Sequence, residues 1–207
     1  MKKAIVLAGG FDQIALIKEL KKKAYYVLLL DYFENPPAKS FADIHIQVST
    51  LDYEKVKEIA VHNKVDLVIT ACTDQALLIA AKISEELNLP FYLKSDKASL
   101  VTNKKLMKNV MIKNNIPTSQ YIVANDLSLI DKTSLNYPLV IKPVDCNSSK
   151  GVKKVYNEKM LSEYFSQALA LSRDKCVIIE DFVEGEEILT CHKITDSYAA
   201  FLFFASK

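Results

Sequence analysis

The 207-residue chain carries 27 basic and 25 acidic residues, a formal charge of +2 at pH 7, and 50% hydrophobic residues. That length accommodates one large domain or two small ones around a sizeable core, and so even a charge excludes bulk electrostatic binding to nucleic acid, which needs a clustered excess of Lys and Arg. Arg173 is the single arginine, so bound phosphate would have to be held by lysine, backbone N–H groups and hydroxyls rather than by arginine forks.

In chain order, Ala4-Ile5-Val6-Leu7-Ala8 is a continuous apolar run, the pattern of a strand buried on both faces of a parallel sheet. Gly9-Gly10 breaks it, and Ile14, Ile17 and Leu20 set a helical stripe. Val27 to Leu30 predicts a second strand ending at Asp31. Asn35-Pro36-Pro37 marks a loop, and Ile44, Ile46 and Val48 alternate as a third strand. Asp52 is placed to cap a helix bearing Val56, Ile59 and Ala60. Val65 to Ile69 predicts a fourth strand, and Asp74 a further cap before Leu77, Ala81 and Leu87. Strands alternating with helices imply a doubly wound, Rossmann-like parallel α/β sheet over residues 1–92.

From residue 93 to 207 the pattern changes to α+β. Asn103 to Asn115 predicts a helix with Leu106–Val110 and Met107–Met111 at i, i+4, ended by Ile116-Pro117. Strands follow near Tyr121 to Val123, Pro138 to Pro143 and Val152 to Tyr156. A helix over Glu158 to Leu171 precedes strands at Val177 to Asp181, Glu187 to Ile194 and Tyr198 to Phe204.

The cysteines, Cys72, Cys146, Cys176 and Cys191, form no C-x-x-C pair, and none lies at metal-ligand spacing from His45, His62 or His192. Cys72 and Cys176 read as small buried hydrophobes, and His45 and His62 as surface residues. Free thiols, a leading apolar run too short for a signal peptide and the lack of a bilayer-length apolar stretch point to a cytoplasmic location.

Four glycines in the whole chain mark backbone needs more than filler. Lys142 ends the apolar strand Leu139-Val140-Ile141, where an unpartnered ammonium would be costly. The small polar loop Asp145-Cys146-Asn147-Ser148-Ser149-Lys150-Gly151 follows. Such a loop between strands folds over phosphates, with N–H and hydroxyl groups aimed at the oxygens; a polar hairpin with a solvated lysine is the alternative. It is not a P-loop, since G-x-x-x-x-G-K-[ST] is absent. Val177-Ile178-Ile179 runs into Glu180, putting a carboxylate at a core edge where it accepts from an exocyclic amine or simply ends a strand.

In order, Asn103-Lys104-Lys105-Leu106-Met107 with Asn115-Ile116-Pro117-Thr118, then Tyr137 to Gly151, then Val177 to Glu187 resemble the ATP-grasp superfamily of ligases. The N-terminal half is similar to the domain that precedes the ATP-grasp fold in the carbamoyl-phosphate synthase and purine-biosynthesis carboxylase-like branches. The resemblance implies that Lys104 and Lys142 touch ATP phosphates and that Ser148, Ser149 and Gly151 form a lid loop. It implies that Glu180 and the Val183 backbone hold adenine, that Glu187 holds the ribose hydroxyls, and that Gly9 and Gly10 line the cleft of the accepting substrate. ATP and Mg²⁺ are the implied cofactors. A small carboxylate and an amine or ammonia are the implied substrates, joined through an acyl phosphate. The family's metal-binding acidic residues lie later than Lys207, so no metal ligand is expected within this chain, and catalytic residues stay unassigned. The apolar run ending the chain is expected to pair with a second copy in a homodimer.

A truncated, non-catalytic nucleotide- or substrate-binding module is the alternative function. A dinucleotide reading of Gly9-Gly10 with Asp31 fails for want of a third glycine and because Phe11 would crowd a pyrophosphate. No G-x-S-x-G supports a hydrolase.

Overall fold

The computed structural model describes residues 1–194 and 199–206. The first part contains β1 (Lys3–Leu7), α1 (Phe11–Lys22), β2 (Tyr26–Asp31), β3 (Ile44–Gln47), α2 (Tyr53–Asn63), β4 (Leu67–Ile69) and α3 (Asp74–Glu86). Its strands form one parallel sheet in the order β3-β2-β1-β4. The continuous apolar runs have a simple cause. Ile5, Leu7, Leu28 and Leu30 face one way, onto Val56 and Ala60 of α2 and Ala76, Ala80 and Ile83 of α3. Ala4, Val6, Val27 and Leu29 face the other way, onto Ile17 and Leu20 of α1. With period-two alternation and helices on both faces, the central positions of both strands, 4–7 of β1 and 27–30 of β2, must be apolar. Each such large side chain contributes about 1.5–3 kcal/mol by leaving water.

Local signals start and stop the helices as expected, with one correction. Asp52 caps α2 by accepting from the Lys55 N–H at 3.2 Å. At α3 the N-cap is Thr73, and Asp74 lies inside the first turn, where its charge favours the helix dipole without closing a cap. Cys72 is exposed, contrary to expectation. It sits at φ 52° in the turn leaving β4, past the end of the buried strand. His62 is exposed, whereas His45 is half-buried, its Nε2 enclosed without a hydrogen bond.

Two consecutive helices follow, α4 (Ser95–Thr102) and α5 (Lys104–Lys113). The pattern of residues had shown only α5. The first N–H of α4 is met by Glu85 of α3, which accepts from Ser95 N at 3.0 Å, a partner ten residues upstream that no local motif displays. Next come β5 (Tyr121–Ala124), β6 (Leu139–Pro143), β7 (Lys153–Val155), α6 (Glu158–Leu171) and β8 (Val177–Asp181). These strands make an antiparallel sheet in the order β5-β8-β6-β7. Leu161, Phe165 and Ala168 of α6 cover the face that carries Leu139, Ile141, Val155, Val177 and Ile179. Alternation therefore sends Val140, Lys142, Ile178 and Glu180 to the opposite face. The chain continues into β9 (Ile188–Ile194) and β10 (Ala199–Ser206), an antiparallel pair whose register shifts between Phe201 and Phe203.

Candidate functional site

Glu180 lies near the end of β8, the strand flanked by β5 and β6, with Tyr121 and Val140 as its register partners. Its carboxylate holds two lysines, one on each oxygen. Lys142, reaching across from β6, donates to Oε1, and Lys108, reaching over from α5, lies 2.9 Å from Oε2. Ser119 Oγ adds a third contact to Oε2 at 3.2 Å. Burial pushes the Glu180 carboxyl up, but the hydrogen bonds and charges of Lys142 and Lys108 outweigh it and hold the group below its ordinary value.

Lys104 stands one helical turn before Lys108, on the same face of α5. Its backbone N–H donates to Val144 O at 2.7 Å, and its ammonium to Cys146 O. Burial lowers its proton affinity, and the neighbouring charge of Lys142 lowers it further. Two ammonium groups, Lys104 and Lys142, thus lie near enough to repel, an arrangement in which an anionic ligand relieves the repulsion. Asp74, at the start of α3, acts on Lys104 in the opposite sense. The start of α3 therefore lies near Lys104.

The loop between β6 and β7 runs past the same point. The buried Asp145 anchors it: Oδ2 accepts from Arg173 N at 2.9 Å and Asp174 N at 3.1 Å, while Gln75 of α3 donates to Asp145 O at 2.9 Å. Ser148 and Ser149 are exposed and left-handed, at φ 52° and 57°. Successive left-handed residues turn backbone N–H groups toward a common side, a geometry that suits anions. Gly151 is also left-handed at φ 76°, and a Cβ there would lie 2.8 Å from Leu171 Cδ1 and 2.9 Å from Pro143 Cγ.

Val183 is 70% exposed and Glu187 is exposed, both on the strap between β8 and β9. Phe182 starts that strap, donating to Pro138 O at 3.2 Å, with the Lys154 ammonium 3.2 Å from its ring centroid. Gly9 and Gly10 sit apart from the sheet of Glu180, between β1 and α1. Gly9 N donates to Asp31 Oδ2 at 2.6 Å. A Cβ at Gly9 would lie 2.4 Å from Pro36 Cβ, whereas at Gly10 it would meet open space. Asp31 also accepts from Phe33 N at 2.7 Å, so the dinucleotide-like Gly–Asp spacing serves a local loop.

The structure thus gathers Lys104, Lys142 and Glu180, runs the Ser148–Gly151 loop past them, and leaves Val183 and Glu187 on the adjoining strap. The residue pattern missed Lys108, although a lysine beside Met107 and Met111 in an apolar stripe was the available signal. It also missed the anchor Asp145. A cleft of about 650 Å³ lies between α5 and residues 115–123 and includes none of the expected residues. Among the described residues no group of three or more His, Cys, Asp or Glu side chains could hold a metal ion.

The chain is similar to several known proteins. Residues 106–199 match the family described as D-ala D-ala ligase C-terminus. The chain is 25% identical to a formate-dependent phosphoribosylglycinamide formyltransferase of Prochlorococcus marinus, over 99% of this chain and 54% of that one. It is 28% identical to a phosphoribosylamine–glycine ligase of Leptospira interrogans, over 99% of this chain and 50% of that one. Among solved structures it resembles N5-carboxyaminoimidazole synthetase of Staphylococcus aureus complexed with ADP, with TM-score 0.75 and 21% identity over 99% of this chain and 54% of that one. It also resembles an L-amino acid ligase of Bacillus licheniformis, with TM-score 0.76 and 22% identity over 100% of this chain and 50% of that one. These relatives are ATP-grasp ligases, and the chain is similar to them over nearly all of its length. The chain spans about half the length of the curated relatives it matches.

Proposed function

We propose that the chain is the ATP-binding portion of an ATP-dependent carboxylate–amine, or carbamoyl-phosphate-like, ligase, with a division near residue 92 between a substrate-facing and a nucleotide-facing domain. The observation that carries this reading is that the ammonium of Lys104 lies near that of Lys142, which itself rests on the half-buried carboxylate of Glu180. The lysines neutralise the triphosphate, and the loop through Ser148, Ser149 and Gly151 closes over it. Glu180 and the Val183 backbone take the adenine edge, and Glu187 takes the ribose hydroxyls. Gly9 and Gly10 leave room for the acceptor at the edge of the parallel sheet.

In the reaction a substrate carboxylate oxygen attacks the γ-phosphorus and the bond to the β-phosphate oxygen breaks, releasing ADP. An amine then attacks the acyl carbon, loses a proton, and expels phosphate. The protein's part is positioning and charge neutralisation, since phosphoryl transfer demands little else. Cysteine and histidine play no part in this scheme.

Calorimetric titration with ATP tests it. The wild type is expected to bind, and Lys142→Ala to lose at least about tenfold in affinity, the worth of one charge-assisted contact. No binding at millimolar ATP, weaker than about −4 kcal/mol, rejects the reading. ADP release coupled to product from a carboxylate and an amine separates a ligase from a binding module.

A further inference from the structure

Lys108 is 6% exposed, an unusual state for a lysine. Its ammonium meets three oxygen partners: Thr118 Oγ1 at 2.5 Å, Ser119 Oγ at 2.8 Å and Glu180 Oε2 at 2.9 Å. An ammonium has three N–H donors, so all of them are engaged. The Tyr121 ring closes the remaining side, 5.4 Å from the ammonium. Lys142 differs: its side chain is 19% exposed, against 8% for Lys108, and its ammonium rests on Oε1 of the same carboxylate. One lysine is locked in place and the other sits at the rim.

We propose that Lys108 is a positioning residue that keeps Glu180 charged and oriented while Lys142 leaves it, so that one carboxylate oxygen is handed from a lysine to an adenine amine. This rests on the ATP-binding reading above. A triphosphate draws the flexible Lys142 stem off Oε1, which then accepts from the exocyclic amine. Lys108 stays on Oε2 and supplies the countercharge. Without it, Glu180 would be a buried carboxylate whose remaining cation is Lys142, and that pairing would hold Lys142 back from the phosphates.

The proposal separates base binding from phosphate binding. Lys108→Met is expected to weaken adenosine and ATP alike, by about tenfold or more. Lys142→Met is expected to weaken ATP by a similar factor yet leave adenosine binding unchanged or tighter, because Oε1 is already free. Lys108→Arg restores part of the loss. Thr118→Val, which removes one anchor of the ammonium and keeps its charge, gives a smaller loss of adenosine affinity and serves if Lys108→Met does not fold. A carbon-13 NMR titration of the Glu180 carboxyl gives a readout without nucleotide: its midpoint rises in Lys108→Met and not in Lys108→Arg.

Adenosine affinity within twofold of wild type in Lys108→Met, or in Thr118→Val where only that variant folds, overturns the proposal. So does equal loss of adenosine and ATP in Lys142→Met, which would mean that Lys142 never leaves the base side. Wild-type protein that binds ATP but not adenosine overturns it and spares the ATP-binding reading. Wild-type protein that binds neither overturns both.

Discussion

A carboxylate as enclosed as Glu180 stays ionised only because two ammonium groups repay the loss of water. The linkage has a definite sign. A carboxyl held below its ordinary value of 4.5 in the folded chain stabilises the fold above that pH. The contribution fades as pH falls through the lowered folded value. Thermal unfolding followed by circular dichroism is expected to show the wild type losing stability below about pH 4.5 more steeply than Glu180→Gln. Lys104 carries the opposite liability. Its lowered proton affinity means that its charge opposes folding at neutral pH, relieved as pH rises through the folded value. Partial contact with solvent screens much of that cost. Lys104→Met is therefore expected to leave the melting temperature unchanged or raised while lowering ATP affinity about tenfold. Lys142 and Glu180 were legible as residues because each ends an apolar run where a charge needs a reason, and Lys104 only through the resemblance to a known family. Lys108 was not, because only the approach of α5 to the β5–β8–β6 face shows what it touches.

At the scale of elements, α5 is the part that turns a sheet face into a site, since it carries both Lys104 and Lys108. Its start depends on Asn103, whose Oδ1 accepts from Lys105 N at 3.0 Å and Leu106 N at 3.3 Å. Asn103→Ala is expected to cost about 1 kcal/mol in chemical denaturation, with a parallel loss of ATP affinity as the first turn frays. The loop before β7 has its own weak point. Gly151→Ala puts a Cβ against Pro143 and Leu171 at a left-handed residue, and is expected to cost about 1–3 kcal/mol. Most strands and helices could be placed from the residue pattern, because apolar periodicity and caps act within a few residues. α4 could not be, since its cap comes from Glu85 on another helix.

At the scale of the whole molecule, each sheet has its own core, one spread over both faces of β1 and β2 and one between α6 and the antiparallel sheet. Bound ATP should therefore protect the second part more than the first. Hydrogen exchange with and without ATP is expected to slow in α5, β6 and β8 and to change little in β1 and β2 away from their C-terminal edge. At a hundredfold excess over the dissociation constant, ligand linkage adds about 2.7 kcal/mol. Uniform protection would contradict the placement of the site. β10 pairs with β9 along one edge, and association through its other edge is expected to give a mass in sedimentation that rises with concentration. A constant monomer mass would remove the homodimer.

The residue order alone carried the parallel sheet and the α+β character that follows it, and marked Lys142 and Glu180 as charges that need a reason, because burial of apolar faces writes a period into the chain and a charge at the end of such a run stands out. Long-range assembly supplied the rest: which oxygen of Glu180 each lysine occupies, why Gly151 admits no side chain, and how Asp145 ties the loop to Arg173, Asp174 and Gln75. The hydrogen bonds and ion pairs among those contacts join residues 28 to 72 positions apart along the chain, and electrostatics and steric fit act through space, where a linear pattern holds no record of distance.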